Sequence, residues 1–188
     1  MTKLDLTHGN ILLIEAYSTT FRCILKLYTN LLNYNPYFKE ISTLYTYKHP
    51  RPSAAVDITV FRIKKGKYQV LLIQRSQEPF LGSYALPGGF MEMEETLEDA
   101  ARRELSEETG LENQQLIQVQ TFSDPGRDPR DRVISTCFGV VLKESDQIQI
   151  QAGSDAEDIR WFDLEDLPGL AFDHLQIILT AAKKLILT

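Results

Sequence analysis

Apolar residues recur at helical spacing from about Ile11 to Leu32, through Leu13, Tyr17, Phe21, Ile24, Leu25, Tyr28, Leu31 and Leu32, which predicts one amphipathic helix. Its stripe needs a cover, either the main domain or a second copy of the chain, so a homodimer is one use for it. Asn35-Pro36 and His49-Pro50-Arg51-Pro52 then punctuate the chain, because proline cannot continue a helix and biases its predecessor toward extended backbone. We therefore expect an N-terminal helical extension and linker over residues 1–49 and a second domain over 50–188.

In that second domain the period changes. Ala54 to Ile63 and Tyr68 to Arg75 read as strands joined at Lys64-Lys65-Gly66-Lys67, a glycine-containing hairpin signal. A loop follows through Pro79, Gly82 and Pro87-Gly88-Gly89. Helical spacing resumes from Thr96 to Thr109, with Gly110 where a helix-ending glycine belongs. Leu116 to Phe122 and Arg132 to Leu142 read as strands, with a short one near Ile159 to Phe162. A last helix is expected from Phe172 or Asp173 toward Leu187. The pattern is that of one mixed α/β domain without internal repeats.

Composition changes this picture little. Of 188 residues, 43% are hydrophobic and 10% aromatic, values of an ordinary globular protein. A formal charge of −6 argues against a broad nucleic-acid surface, yet allows a phosphate-bearing ligand where a metal ion inverts the local field. Cys23 and Cys137 are far apart and lack metal-ligand spacing, so both read as small buried hydrophobes in a reducing cytoplasm. The apolar stretch Ile11 to Ile14 closes at Glu15, and Arg22 and Lys26 interrupt the next, so no membrane span is expected; with neither a basic n-region nor a small-residue cleavage site, a signal peptide is not expected either.

The candidate chemistry sits on the middle helix. Glu104, Glu107 and Glu108 are three and four positions apart, so a helix gathers them. At roughly 100° per residue, Glu104 and Glu108 continue the inward stripe of Leu97, Ala100 and Ala101. Carboxylates in a last turn also face the negative end of the helix dipole and repel one another, at a few tenths of a kcal/mol or more each. A solvated acidic face explains most helix glutamates, but not inward ones in this position. A hard divalent cation relieves both penalties: magnesium, with manganese the alternative, while the lack of nearby histidine or cysteine argues against zinc.

Gly89, Glu95, Arg103, Glu104, Leu105, Glu107, Glu108, Gly110 and Leu111 together fill every defining position of the Nudix box. The resemblance to that family extends from about Pro50 to the chain end. It implies an α/β/α sandwich with a mixed sheet, with Glu104, Glu107 and Glu108 on magnesium and the Gly89 carbonyl a further ligand. It also implies an Arg103–Glu95 ion pair bracing the box, and in-line attack of water on phosphorus. Glu107 or Glu108 is then the base. In relatives that cleave ADP-ribose the base can lie on a later loop, where Ser154-Asp155-Ala156-Glu157-Asp158 offers Glu157 as second choice.

Arg51-Pro52, Leu86-Pro87-Gly88-Gly89-Phe90, Pro125-Gly126-Arg127-Asp128-Pro129-Arg130 and Phe172-Asp173-His174 resemble one branch of the family. It contains ADP-ribose pyrophosphatases, the Nudix half of bifunctional nicotinamide mononucleotide adenylyltransferases, and regulators of NAD metabolism. Arg127, Arg130 and Arg132 offer forked donors to phosphates or ribose, or else pair with Asp124, Asp128 and Asp131; both readings stay open. Arg51, Arg75, Phe90 and His174 complete the candidate substrate contacts. His174 equally suits a packed or capping position, and Phe90, Phe122 and Phe138 suit the core as well as an adenine.

Three functions compete: ADP-ribose hydrolysis to AMP and ribose 5-phosphate, cleansing of oxidised nucleoside triphosphates, and ADP-ribose sensing by a regulator of DNA. Regulators of the branch carry a winged-helix extension, whereas here the final helix, with Lys183 and Lys184, ends at Thr188. The expected partner is a small nucleotide, with no nucleic acid and no membrane.

Overall fold

Seven strands of very unequal length make one mixed sheet in a computed structural model that describes residues 47–143, 150 and 156–187. The described elements are β1 (Ser53–Lys64), β2 (Lys67–Arg75), β3 (Tyr84–Ala85), β4 (Gly88–Phe90), α1 (Leu97–Thr109), β5 (Ile117–Phe122), β6 (Val133–Leu142), β7 (Ala156–Asp163) and α2 (His174–Leu185). Residues His49–Thr188 form one compact unit. The helix predicted from Ile11 to Leu32 lies outside the described residues.

The sheet runs β3-β2-β1-β6-β5, with β4 on β1 and β7 on β2. β1 pairs parallel with β6 and antiparallel with β2 and β4. Lys65 and Gly66 close the β1–β2 hairpin, both with positive φ, as a two-residue turn matched to strand twist demands.

β1 is the central strand, and its alternation puts an apolar row, Val56, Ile58 and Val60, on one face and Asp57, Thr59 and Phe61 on the other. Val56, Ile58 and Val60 meet Ala100, Ala101 and Leu105 of α1. Phe61 meets Ile177, Ile178 and Ala181 of α2. Each helix therefore covers one face, and the α/β/α sandwich follows from that alternation. Phe122 and Phe138 are 3% and 2% exposed and belong to these cores, not to a ligand surface. Cys137 is a buried free thiol pushed up to about 12 by burial, a packing residue and no nucleophile.

Two elements were not expected. β3 and β4 occupy the segment read as a loop, and at two and three residues they are too short to show a period. Their partners impose them: Tyr84 and Ala85 pair with β2, and Gly88 to Phe90 pair with β1. This pairing carries Gly88 and Gly89 to the end of α1. Among the described residues, no helix is long and apolar enough to cross a membrane.

Candidate active site

Helix α1 ends at the site because local signals stop it there. Thr96 caps the start, its hydroxyl accepting from the Asp99 amide at 3.2 Å, and Gly110 ends it in the left-handed conformation. Glu98 and Asp99 suit the first turn, whereas the last turn holds no basic residue. Glutamates therefore collect where the helix dipole disfavours them, and other groups must compensate.

Arg103 supplies that compensation. Its guanidinium donates to Glu95 at 2.7 and 3.1 Å, to Glu104 at 2.8 Å, to Glu107 at 3.2 Å and to the Phe90 carbonyl at 3.1 Å. The Arg103–Glu95 pair read from the box is thus present as a two-pronged contact. The Glu104 side chain is only 13% exposed, in keeping with the inward projection read from the helical wheel. Burial raises the Glu104 carboxyl above its ordinary range; Arg103 opposes this, and Glu107 and Glu95 reinforce it. Glu107, with a side chain 59% exposed, lies on the outer flank.

Glycines bring the sheet against these carboxylates. A methyl group on Gly89 would collide with the Glu104 carboxylate, and one on Gly88 with the Val56 carbonyl oxygen. The Gly88 amide donates to Glu108 at 2.9 Å. Gly89→Ala should therefore displace a movable side chain and lower kcat/KM about 100-fold with little loss of stability. Gly88→Ala meets fixed backbone and should cost about 2 kcal/mol or more. Thermal melts run beside initial rates separate the two; an equal loss of stability in both would contradict this geometry.

Three carboxylates around one guanidinium leave a negative excess, and every donor is a carboxylate or backbone oxygen, a set that fits a hard divalent ion. Among the described residues no three carboxylate, imidazole or thiolate groups are already drawn together as a cage, the glutamates being fanned around Arg103.

A cleft opens beside Glu108. Its walls include Gly88, Gly89 and Phe90 from β4, Arg75 from β2, Arg127 and Arg130 from the loop before β6, and His174 from α2. The structure thus brings seven of the sequence candidates to one cleft; Glu104 abuts it at Gly89 and Arg103 at the Phe90 carbonyl, while Glu95 and Glu107 are tied to Arg103. Arg51 and Arg132 do not line it: both are exposed, and Arg132 turns to the Val133 carbonyl at 3.3 Å. The Glu157 carboxylate lies outside the described residues.

The arginine pairings differ from the loop-internal set considered above. Arg130 does pair with Asp128, at 2.7 Å, but Arg127 reaches Asp173 at 2.6 and 2.8 Å and Asp57 at 3.1 Å, with its side chain 5% exposed. His174 is also buried. Its Nδ1 accepts from the Leu86 amide at 2.8 Å and its Nε2 faces Asp57 at 3.3 Å. Arg127 and His174 therefore form part of the cleft wall and hold it through buried partners.

Asp57 is the hub of that wall and was missed in the sequence. Ser135 donates to it at 2.5 Å, beside Arg127 and His174. The available signal was a lone carboxylate in β1, flanked by Val56 and Ile58. Burial alone would raise its carboxyl, but His174, Ser135 and Arg127 together hold it at about 2, below the ordinary 3.8. A depressed folded value stabilises above the unfolded value and is lost as pH falls from 3.8 through about 2. Asp57→Asn should thus cost roughly 3 kcal/mol near neutrality and flatten the acid limb of the melting curve in that window. An acid limb unchanged in the variant would remove Asp57 from this role.

Comparison with known proteins accords with the geometry. Residues 51–181 match the NUDIX domain family. The chain belongs to the Nudix family. One relative, the ADP-ribose pyrophosphatase of Methanocaldococcus jannaschii, is 44% identical over 127 residues, covering 68% of this chain and 71% of that protein. The ADPR responsive transcriptional repressor NtrR of Acinetobacter baylyi is 36% identical over 142 residues, and the match spans 73% of this chain but only 56% of the repressor. Among solved structures, the Nudix domain of Shewanella oneidensis NrtR complexed with ADP ribose superposes with a TM-score of 0.68 at 31% identity, covering 86% of this chain and 98% of that one. With its box complete, the chain is a Nudix pyrophosphohydrolase.

Proposed function

We propose that this Nudix domain hydrolyses ADP-ribose to AMP and ribose 5-phosphate with magnesium, or manganese, as the metal. The observation that carries the reading is the junction at Glu108, which the Gly88 amide fixes at the edge of an arginine-rich cleft and which shares its helix end with Glu104 and Glu107. The pyrophosphatase relative and the ADP-ribose-bound neighbour support that substrate.

Arg75 and Arg130 supply planar donors toward the diphosphate. Gly89 leaves room for Glu104 to face the site, and Arg103 holds Glu104 and Glu107 on the metal side. When bound by Glu104, Glu107, Glu108 and the Gly89 carbonyl, magnesium supplies charge neutralisation and an acidified water. Glu107 or Glu108 takes a proton from the water that attacks phosphorus, and the bridging oxygen leaves with the other phosphate. Glu157 is the alternative base. The partner in this account is a small nucleotide, and the setting is the cytoplasm, where a free Cys137 thiol is stable.

Incubation with magnesium and ADP-ribose, NADH, diadenosine polyphosphates or 8-oxo-dGTP, with products resolved by chromatography, tests the substrate. AMP appearing fastest from ADP-ribose is expected. Preference for 8-oxo-dGTP would replace the substrate and keep the chemistry. The repressor relative favours one other reading, a sensor, for which tight ADP-ribose binding without turnover would speak.

A further inference from the structure

The chain between β3 and β4 is tied at three consecutive residues. The Leu86 amide donates to His174 Nδ1 at 2.8 Å, the Pro87 carbonyl accepts from the Ile58 amide at 2.8 Å, and the Gly88 amide donates to Glu108 at 2.9 Å. Proline fixes its own φ and supplies no amide, so little slack separates the first bond from the third. Leu86 and His174 are 2% and 4% exposed, so solvent offers the Leu86 amide no substitute partner. His174 belongs to α2 and Glu108 to α1, which cover opposite faces of the sheet, and this short segment is a path between them.

The imidazole is set to accept and does more than fill space. A neutral ring has one acceptor nitrogen and one donor. The Leu86 amide takes the acceptor, which leaves the proton on Nε2, and Nε2 faces the Asp57 carboxylate at 3.3 Å. The turn that delivers the ring is held as well. The Ala171 amide donates to the Tyr84 carbonyl at 2.8 Å, and the Tyr84 amide to the Gly169 carbonyl at 3.3 Å. Within that turn Phe172, a wall residue of the cleft, has a φ of 52°, a strain that a bulky residue keeps where its surroundings over-determine it. Its ring lies 5.3 Å from the imidazole, centroid to centroid.

We propose that His174 is a positioning residue for Glu108: by accepting from the Leu86 amide it fixes the Leu86–Gly88 segment, and with it the Gly88 amide that aims the Glu108 carboxylate. It acts through that backbone and not on the reacting atoms. The role rests on the reading of Glu108 as a metal ligand and names the group that aims it.

Two substitutions separate the ring nitrogens. His174→Asn keeps an acceptor near the Nδ1 position, whereas His174→Gln keeps a donor near Nε2 and leaves the Leu86 amide without a partner. In NMR of the full chain, the Gly88 amide resonance should shift and its hydrogen exchange quicken roughly tenfold in His174→Gln, while His174→Asn stays near wild type. Manganese titration followed by EPR should give a dissociation constant about tenfold higher in His174→Gln and within about twofold of wild type in His174→Asn. In a Glu108→Gln background, His174→Gln should weaken manganese no further. An unchanged Gly88 amide in His174→Gln, or equal damage by both variants, would overturn the role, since the ring's bulk is then all that matters. If His174→Gln does not fold, exchange in the wild type decides. Leu86 and Gly88 should open together, and a Gly88 amide exchanging more than about tenfold faster than Leu86, corrected for intrinsic rates, overturns the role. A wild type that binds no manganese at millimolar concentration contradicts instead the metal reading of the α1 terminus, and the Gly88 amide still decides for His174.

Discussion

Glu108→Gln is expected to lower kcat by roughly 10²–10⁴-fold while the protein keeps its fold. The substitution preserves shape, and an amide oxygen still accepts the hydrogen bond that the Gly88 amide now gives Glu108 at 2.9 Å. What disappears is the negative charge and the basicity at the junction of helix and cleft. Glu107→Gln, on the exposed flank, should be equally benign to stability and also cost orders of magnitude in turnover. Initial rates at saturating magnesium, beside melting curves, decide the matter. Wild-type rates in both variants would dissolve the assignment of the α1 terminus as the reacting centre.

Arg103 carries the second large expectation. Five contacts leave its guanidinium tied to Glu95, Glu104, Glu107 and the Phe90 carbonyl. Lysine keeps the charge but cannot fork toward Glu95 while reaching Glu104, so the exchange is not conservative here. Arg103→Lys should lower kcat/KM roughly 10–100-fold, the usual toll for losing a group that orients metal ligands. The divalent-ion concentration needed for half-maximal rate should rise at the same time. A variant with reduced rate but an unchanged magnesium requirement would show that Arg103 braces the fold without setting the ligands.

The elements that organise this site differ in how plainly the chain announces them. The α1 boundaries were legible because Thr96 and Gly110 act within a turn of themselves, and the β1–β2 hairpin because Lys65 and Gly66 need only each other. Glu104 was legible too, since its inward direction follows from helical period alone. β3 and β4 were not, because their partners on β2 and β1 create them. The wall around Asp57 was hidden for the same reason. Arg127 meets Asp173 across 46 residues and Asp57 across 70, while His174 meets Leu86 across 88. Nearer aspartates, Asp124 and Asp131, offered a local pairing that the folded chain does not use for Arg127. Phe172 stood in a recognised motif, yet no propensity assigns a phenylalanine a positive φ, so its place at the cleft emerges only in three dimensions.

The most direct test of the account is a time course of ADP-ribose with the full chain and magnesium, followed by chelation and then restoration of the metal. Stoichiometric AMP and ribose 5-phosphate, halted by the chelator and resumed on adding magnesium, is the predicted result. Undiminished cleavage after chelation, or bound ADP-ribose that stays intact throughout, would contradict it.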